Sequence, residues 1–286
     1  MKIHPFIAAL TALGLSTQSL ADDIERITVS ADLSQRDLSE LPASVLVIDD
    51  VTLELRETRH LKDVIATLPN VNFSAGATRG KFIQIRGIGE RSQFSEPTNP
   101  SVGLLLDDLD ISGLGSLATT FDLQQVELLS GPQSVASGVN SLAGVIKLVS
   151  NDTEASNNVG LSIAEFDEWQ LSAAGTVDIN DAISVRISVQ NTQSDGFVKN
   201  QFLNREDTNG VDELTAKATL FYDIDDTSSL QASVYRFDID NGYDAFSLDN
   251  DNVTRSDQPG FDKTDADALS VKYSKDFGTI QLQTIA

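Results

Sequence analysis

The C-terminal half of the chain alternates apolar and polar positions with a period of two, over 159–164, 169–177, 183–190, 214–222, 230–237, 269–273 and from 280 onward. Each run predicts a β-strand with one apolar and one polar face. The joins also alternate. Polar turns at 178–181 and 223–229 are tight, whereas 192–212 and 238–267 are long. An antiparallel meander with short turns at one end and long loops at the other has the spacing of an outer-membrane barrel. A soluble sandwich shares the alternation but not a long loop at every second connection.

The N-terminal half follows a different rule. Apolar residues at Leu61, Val64, Ile65 and Leu68 sit at helical spacing between Thr58, a candidate cap, and Pro69, so a helix of about ten residues is predicted. Strands are predicted over 44–49, 82–87, 102–106, 123–129 and 143–149, punctuated by Gly87, the pair Gly131-Pro132, and Gly144. Short helices interleaved with strands describe a compact α+β domain over 44–152. Residues 22–43 form a polar tail in which 24–31 alternates and can become a strand when offered an edge. Before it, Lys2, the apolar stretch 6–15 and Ser19-Leu20-Ala21 make residues 1–21 a secretory signal peptide. The expected division is therefore 1–21, 22–43, 44–152 and 153–286.

Composition narrows the function. Forty-three acidic residues against 20 basic ones give a net charge of −23, which repels the phosphates of a nucleic acid. With no cysteine and two histidines, thiolate chemistry is excluded and metal sites are scarce. Gly87 and Gly89 do not form a dinucleotide loop, because position 92 is Ser and no parallel βαβ unit follows. Asp249-Asn250-Asp251-Asn252 lacks the glycine and the bidentate glutamate of a calcium loop. Asp107, Asp108 and Asp110 are ordinary strand-end turn residues, and His60, without a second ligand nearby, is structural. No catalytic, cofactor or metal site is expected.

Several motifs, in order, carry a family resemblance. The tail Glu25-Arg26-Ile27-Thr28-Val29 resembles a TonB box. Ile83-Gln84-Ile85-Arg86-Gly87-Ile88-Gly89 resembles an Ile-Arg-Gly motif, and Val102 to Asp107 a strand ending in Val-Asp-Gly. Val126-Glu127-Leu128-Leu129-Ser130-Gly131-Pro132 and Ala143-Gly144-Val145-Ile146 resemble the closing motifs of a plug. Together they resemble the TonB-dependent outer-membrane receptors of Gram-negative bacteria, in the manner of the siderophore receptors. Gln125 and Ser130 stand where family members commonly carry arginines that tether the plug, so here the tether is expected to be weaker or built differently. Asp108 replaces a turn glycine, which leaves that turn's geometry open.

The resemblance implies an α+β plug domain followed by antiparallel transmembrane β-barrel strands. These would be the first of a 22-stranded wall, with the chain an N-terminal fragment of a longer receptor and the barrel incomplete. It implies an outer-membrane protein that is not an enzyme and imports a large nutrient, foremost a ferric siderophore, when TonB and its ExbB–ExbD motor pull on the tail. Haem, cobalamin or oligosaccharide are alternative cargoes within the family, and a surface adhesin or carbohydrate-binding protein is the alternative outside it. Candidate ligand contacts are Arg79, Lys81, Arg91, Gln93 and Phe94, basic or aromatic in an acidic chain. The acidic long loops are expected to meet lipopolysaccharide and its bridging ions.

Overall fold

A computed structural model describes residues 29, 44–75, 79–91, 100–133, 139–244, 247, 249 and 251–286. The N-terminal domain begins with β1 (Ser44–Asp49), followed by α1 (Asp50–Leu55), α2 (Leu61–Ile65), β2 (Val71–Ala75), β3 (Gly80–Ile85) and β4 (Ile88–Gly89). It continues with β5 (Val102–Leu106), β6 (Leu109–Asp110), β7 (Leu123–Ser130) and β8 (Gly144–Ser150). Strands β1, β7, β8, β5 and β6 form one sheet in that spatial order, and β2, β3 and β4 a smaller one. The β5–β8 pair is parallel and the β1–β7 and β7–β8 pairs are antiparallel. Val126, Leu128, Ile146, Leu148, Leu104 and Leu106 from one face of the larger sheet pack against Leu61, Val64 and Ile65 of α2. At about 25 cal/mol per Å² of apolar surface removed from water, this core is what holds the domain together.

Two local outcomes differ from the sequence expectation. The helix is capped by His60, whose Nδ1 accepts from the Lys62 N–H at 3.3 Å while the Asp63 carboxylate accepts from the His60 N–H at 3.0 Å. Thr58 instead donates its hydroxyl to the Leu53 carbonyl at 3.0 Å, and regular helix ends at Ile65. Helix α1 has one buried residue, Leu53, and so presents no periodic stripe to read.

Glycine is required at two of the motif turns. At Gly89 (φ +143°) an added Cβ would stand 2.2 Å from the Ile83 carbonyl oxygen, and at Gly144 (φ +154°) 2.4 Å from that of Leu129. Arg86 (φ +54°) and Gly87 (φ +79°) form the tight β3–β4 turn, so the Ile-Arg-Gly motif is spent on backbone geometry. At the β5–β6 turn Asp107 takes the left-handed conformation (φ +52°), and Asp108 shows no positive φ, which removes the need for glycine there.

The second unit is a seven-stranded wall: β9 (Asn158–Ile163), β10 (Trp169–Asn180), β11 (Ile183–Ser194), β13 (Val211–Asp225), β14 (Ser228–Tyr243), β16 (Gly260–Asp276) and β17 (Gln281–Ile285). Each pairs antiparallel with its sequential neighbour in the wall, and the described strands do not close on themselves. Short β12 (Lys199–Asn200) and β15 (Val253–Thr254) pair in parallel and join the two long loops. The wall is inside out. Val159, Leu161 and Ile163 are 82%, 71% and 77% exposed on the outer face, with Leu171, Val177, Ile179 and Ile187 exposed beside them. Ser172, Arg186, Ser188, Gln190 and Thr219 are buried on the inner face, against the N-terminal domain. Polar residues inside and apolar residues outside suit a wall standing in lipid. The longest strand, β16, has 17 residues, about 55 Å at roughly 3.3 Å per residue, which crosses a hydrocarbon layer of about 30 Å even when steeply tilted.

The long strands β13, β14 and β16 extend well past their apolar alternation. Their upper outward positions carry charge: Arg236 binds Asp265 at 2.6 Å and Asp267 at 3.1 Å across β14 and β16. The outward apolar face of β14 stops at Val234, whereas the backbone ladder continues to Tyr243.

Candidate functional site

The chemistry collects along the seam between the N-terminal domain and the inner face of the wall. It divides by level, since the tight turns at Asp225–Ser228 and Asn180–Ile183 mark one end of the wall and the long loops the other.

Toward the tight-turn end the domain supplies acids and the wall supplies bases. Asp122 meets Arg186 of β11, its Oδ1 2.5 Å from Nη2 and its Oδ2 3.1 Å from Nε, with both side chains only 3% exposed. The remaining guanidinium donors reach the carbonyls of Ala155 and Ser156 and the Thr176 hydroxyl, so the buried charge is fully partnered. Asp107 Oδ2 accepts from Lys217 Nζ at 2.8 Å, Tyr235 OH at 3.0 Å and Ser150 Oγ at 2.8 Å. Burial pushes the Asp107 carboxyl up, but Lys217 beside it and the hydrogen bonds from Lys217 and Ser150 outweigh this and hold it below the usual carboxylate range. Asp108 lies 3.4 Å from Lys147 and 3.2 Å from Lys272 of β16. Tyr235, Phe237 and Ile239 of β14 add apolar packing to the same contact.

Toward the long-loop end the signs reverse. Arg79 donates Nε and Nη2 to the two carboxylate oxygens of Glu213 on β13, at 2.7 and 2.6 Å. Asn241 donates to the same glutamate at 2.7 Å, and Arg59 pairs with Glu168 in the β9–β10 connection. Between these pairs opens a cavity of about 500 Å³, whose described lining includes Arg59, Lys62, Arg79, Phe166, Phe197 and Tyr243. Phe166 and Phe197 meet edge to face with ring centres 6.2 Å apart. Above it, the buried carboxylate Oδ2 of Asp244 accepts from Asn200 at 2.7 Å and from Thr208 and Thr254 at 2.8 Å, tying the two long loops into one cap.

Of the residues expected to touch ligand, Arg79 lines the cavity and Arg91 is exposed at the end of a described segment. Gln93, Phe94 and the side chain of Lys81 lie outside the described residues, as do Glu25, Arg26, Ile27 and Thr28 of the tail. Val29 is fully buried against Leu105, Leu129 and Val145. Glu127 is buried and accepts from Gln125 at 2.6 Å. Sequence reading passed over Arg59, Lys62, Glu168, Glu213 and Arg186. Only Arg186 signals itself, as a charge on the polar face of an alternating strand.

Residues 37–145 match the TonB-dependent Receptor Plug Domain family. The chain is 24% identical over 223 residues to the vitamin B12 transporter BtuB of Vibrio vulnificus, covering 77% of this chain and 36% of that protein. It is 28% identical over 220 residues to an iron-regulated outer membrane virulence protein of Vibrio cholerae, covering 68% and 32%. The chain thus spans about a third of the length of these curated relatives. Among solved structures it resembles the ferric yersiniabactin uptake receptor FyuA of Yersinia pestis, with a TM-score of 0.70 at 18% identity over 82% of this chain and 39% of that one. The closed form of the ferric-catecholate import receptor Fiu of E. coli gives the same TM-score at 16% identity, over 91% and 38%.

Proposed function

We propose that this chain, whose residues 37–145 match the plug domain of TonB-dependent receptors, is part of such an outer-membrane receptor and serves energy-coupled uptake of a large anionic nutrient, foremost a ferric siderophore. The observation that carries this reading is the seam: an α+β plug lies on the polar face of a wall whose other face is apolar, and the plug's cations face a cavity at the long-loop end. A plug in that position makes passage conditional, and arginine and lysine at its outer end favour an anionic ferric chelate over a neutral sugar. Two of the relatives are named for ferric chelates, ferric yersiniabactin and ferric catecholates, and one for vitamin B12.

The tail would hand itself to TonB by strand addition, for which Ile27 to Val29 supplies an edge. Val29 must first leave its contact with Leu105, Leu129 and Val145. On the outer face, Asp238, Asp265 and Asp267 would meet lipopolysaccharide through divalent ions.

The test is uptake of a ⁵⁵Fe-labelled siderophore by iron-starved cells carrying the receptor in its own outer membrane. Accumulation that a protonophore abolishes and that Val29→Pro, but not Val29→Ile, removes is expected. Accumulation indifferent to both treatments would contradict the reading.

A further inference from the structure

Residues 151–157, seven in all, join the last strand of the plug, which ends at Ser150, to the first strand of the wall, which begins at Asn158. Fully extended they could span about 24 Å, at roughly 3.4 Å per residue, so their length alone would let the plug swing out of the wall as on a hinge. The bonding around them removes that freedom. The Arg186 guanidinium of β11, 3% exposed, donates Nη1 to the Ala155 carbonyl and the Thr176 hydroxyl at 3.1 Å each, Nη2 to the Ser156 carbonyl at 3.4 Å, and both Nε and Nη2 to the Asp122 carboxylate. Asp122, in the left-handed backbone region (φ +57°), holds the start of the same link. Its carbonyl accepts from the Asn151 N–H and its carboxylate from the Asn151 side-chain amide, both at 3.0 Å. One residue earlier, Ser150 donates its N–H and its hydroxyl to Asp107 at 2.8 Å. At the far end of the link, Asn157 Oδ1 accepts from the Thr176 N–H at 2.8 Å.

We propose that Arg186 is a three-way clamp that makes the plug's exit and the linker a fixed part of the wall, so that the plug does not leave by swinging on its linker. One side chain is enough, because its planar fork carries donors toward a plug carboxylate, two linker carbonyls and a wall hydroxyl at once. Its charge and its hydrogen bonds act separately. The charge is balanced by Asp122, without which a buried guanidinium stands unpaired. The bonds to Ala155 and Ser156 fix the linker whether or not position 122 is ionised. Any opening of the plug is then internal to it, with residues 107–108, 120–123 and 148–157 staying on the wall. That consequence for passage rests on the receptor reading; the clamp itself does not.

The chain has no cysteine, so two nitroxide labels can be placed selectively in the receptor in lipid nanodiscs, at Glu154→Cys in the linker and Asp181→Cys in the β10–β11 turn, both exposed positions. Pulsed electron spin resonance between them is expected to give one narrow distance distribution in this background. Arg186→Lys keeps a charge for Asp122 but, as one nitrogen on a flexible stem, cannot span all three partners, so the narrow distribution is expected to be lost to a broad one. Asp122→Asn removes the ion pair and is expected to keep the distribution narrow. Circular dichroism melting identifies which variants are folded. A broad distribution with Arg186 and Asp122 both present, or a narrow one in a folded Arg186→Lys variant, overturns the clamp. Broadening in Asp122→Asn as large as in Arg186→Lys also overturns it, since the ion pair alone would then hold the linker. Failure of energy-dependent iron uptake would remove the receptor reading and leave the clamp standing; uptake with a mobile linker would do the reverse.

Discussion

The two ends of the plug–wall seam use the same ions in opposite arrangement. At the inner end the plug carboxylates of Asp107, Asp108 and Asp122 meet Lys217, Lys272 and Arg186 of the wall, and the Asp122–Arg186 pair is the most buried of the seam at 3% exposure on each side. At the outer end plug arginines meet wall glutamates around an open cavity. A buried ion pair does not by itself stabilise a fold more than apolar packing does, but losing one partner of it leaves a charge that cannot rehydrate. A pair beside a cavity loses less, because water replaces the missing partner. The difference is one of sign and surroundings: the plug offers carboxylates to a buried wall arginine at one end and arginines to wall glutamates beside a cavity at the other.

The largest expected effect is at the inner end. Asp122→Ala strands Arg186 and is expected to lower stability by about 3–5 kcal/mol, read as a shift in the urea midpoint of the purified receptor. Unchanged midpoints would mean that the pair contributes nothing to seating. Lys217→Met comes next, at about 1.5–3 kcal/mol for a hydrogen bond to a charged group, measured in the same way. Glu213→Gln at the outer end keeps a partner for Asn241 and is expected to cost about 1 kcal/mol; a cost equal to that of Asp122→Ala would erase the distinction between the ends.

The smallest effect is on pH. The folded-state pKa of Asp107 lies below its unfolded value of 3.8, so its contribution is complete above that value and is lost as pH falls through the lower folded one. The urea midpoint of the purified receptor is therefore expected to persist on acidification to pH 4, apart from effects of other groups, and a fall already at pH 5 that Asp107→Asn abolishes would contradict the assignment.

Much of this arrangement was legible in the chain. Alternation in β10 and β11 places Ile187 outward and Ser188 inward, and the glycines at 89 and 144 mark turns that no side chain fits. The tether was not legible. Asp107 and Lys217 are 110 positions apart, and their meeting depends on how two separately folded sheets lie against each other. With no arginine at Gln125 or Ser130, the plug meets the inner end of the wall through the carboxylates of Asp107, Asp108 and Asp122. The upper reaches of β14 and β16 escaped for a different reason. Outward Asp238, Asp265 and Asp267 break the hydropathy pattern while leaving the hydrogen-bond ladder intact.

The most direct test of the seam's polarity is amide hydrogen exchange of the receptor in lipid nanodiscs at low and at high salt, which screens pairs open to solvent more than buried ones. The account predicts faster exchange at high salt in segments around Arg59–Asp63 and Arg79 and unchanged exchange around Leu104–Asp108, Thr120–Leu123 and Leu148–Asn151. Equal loosening of both sets, or loosening of the inner set alone, would contradict it.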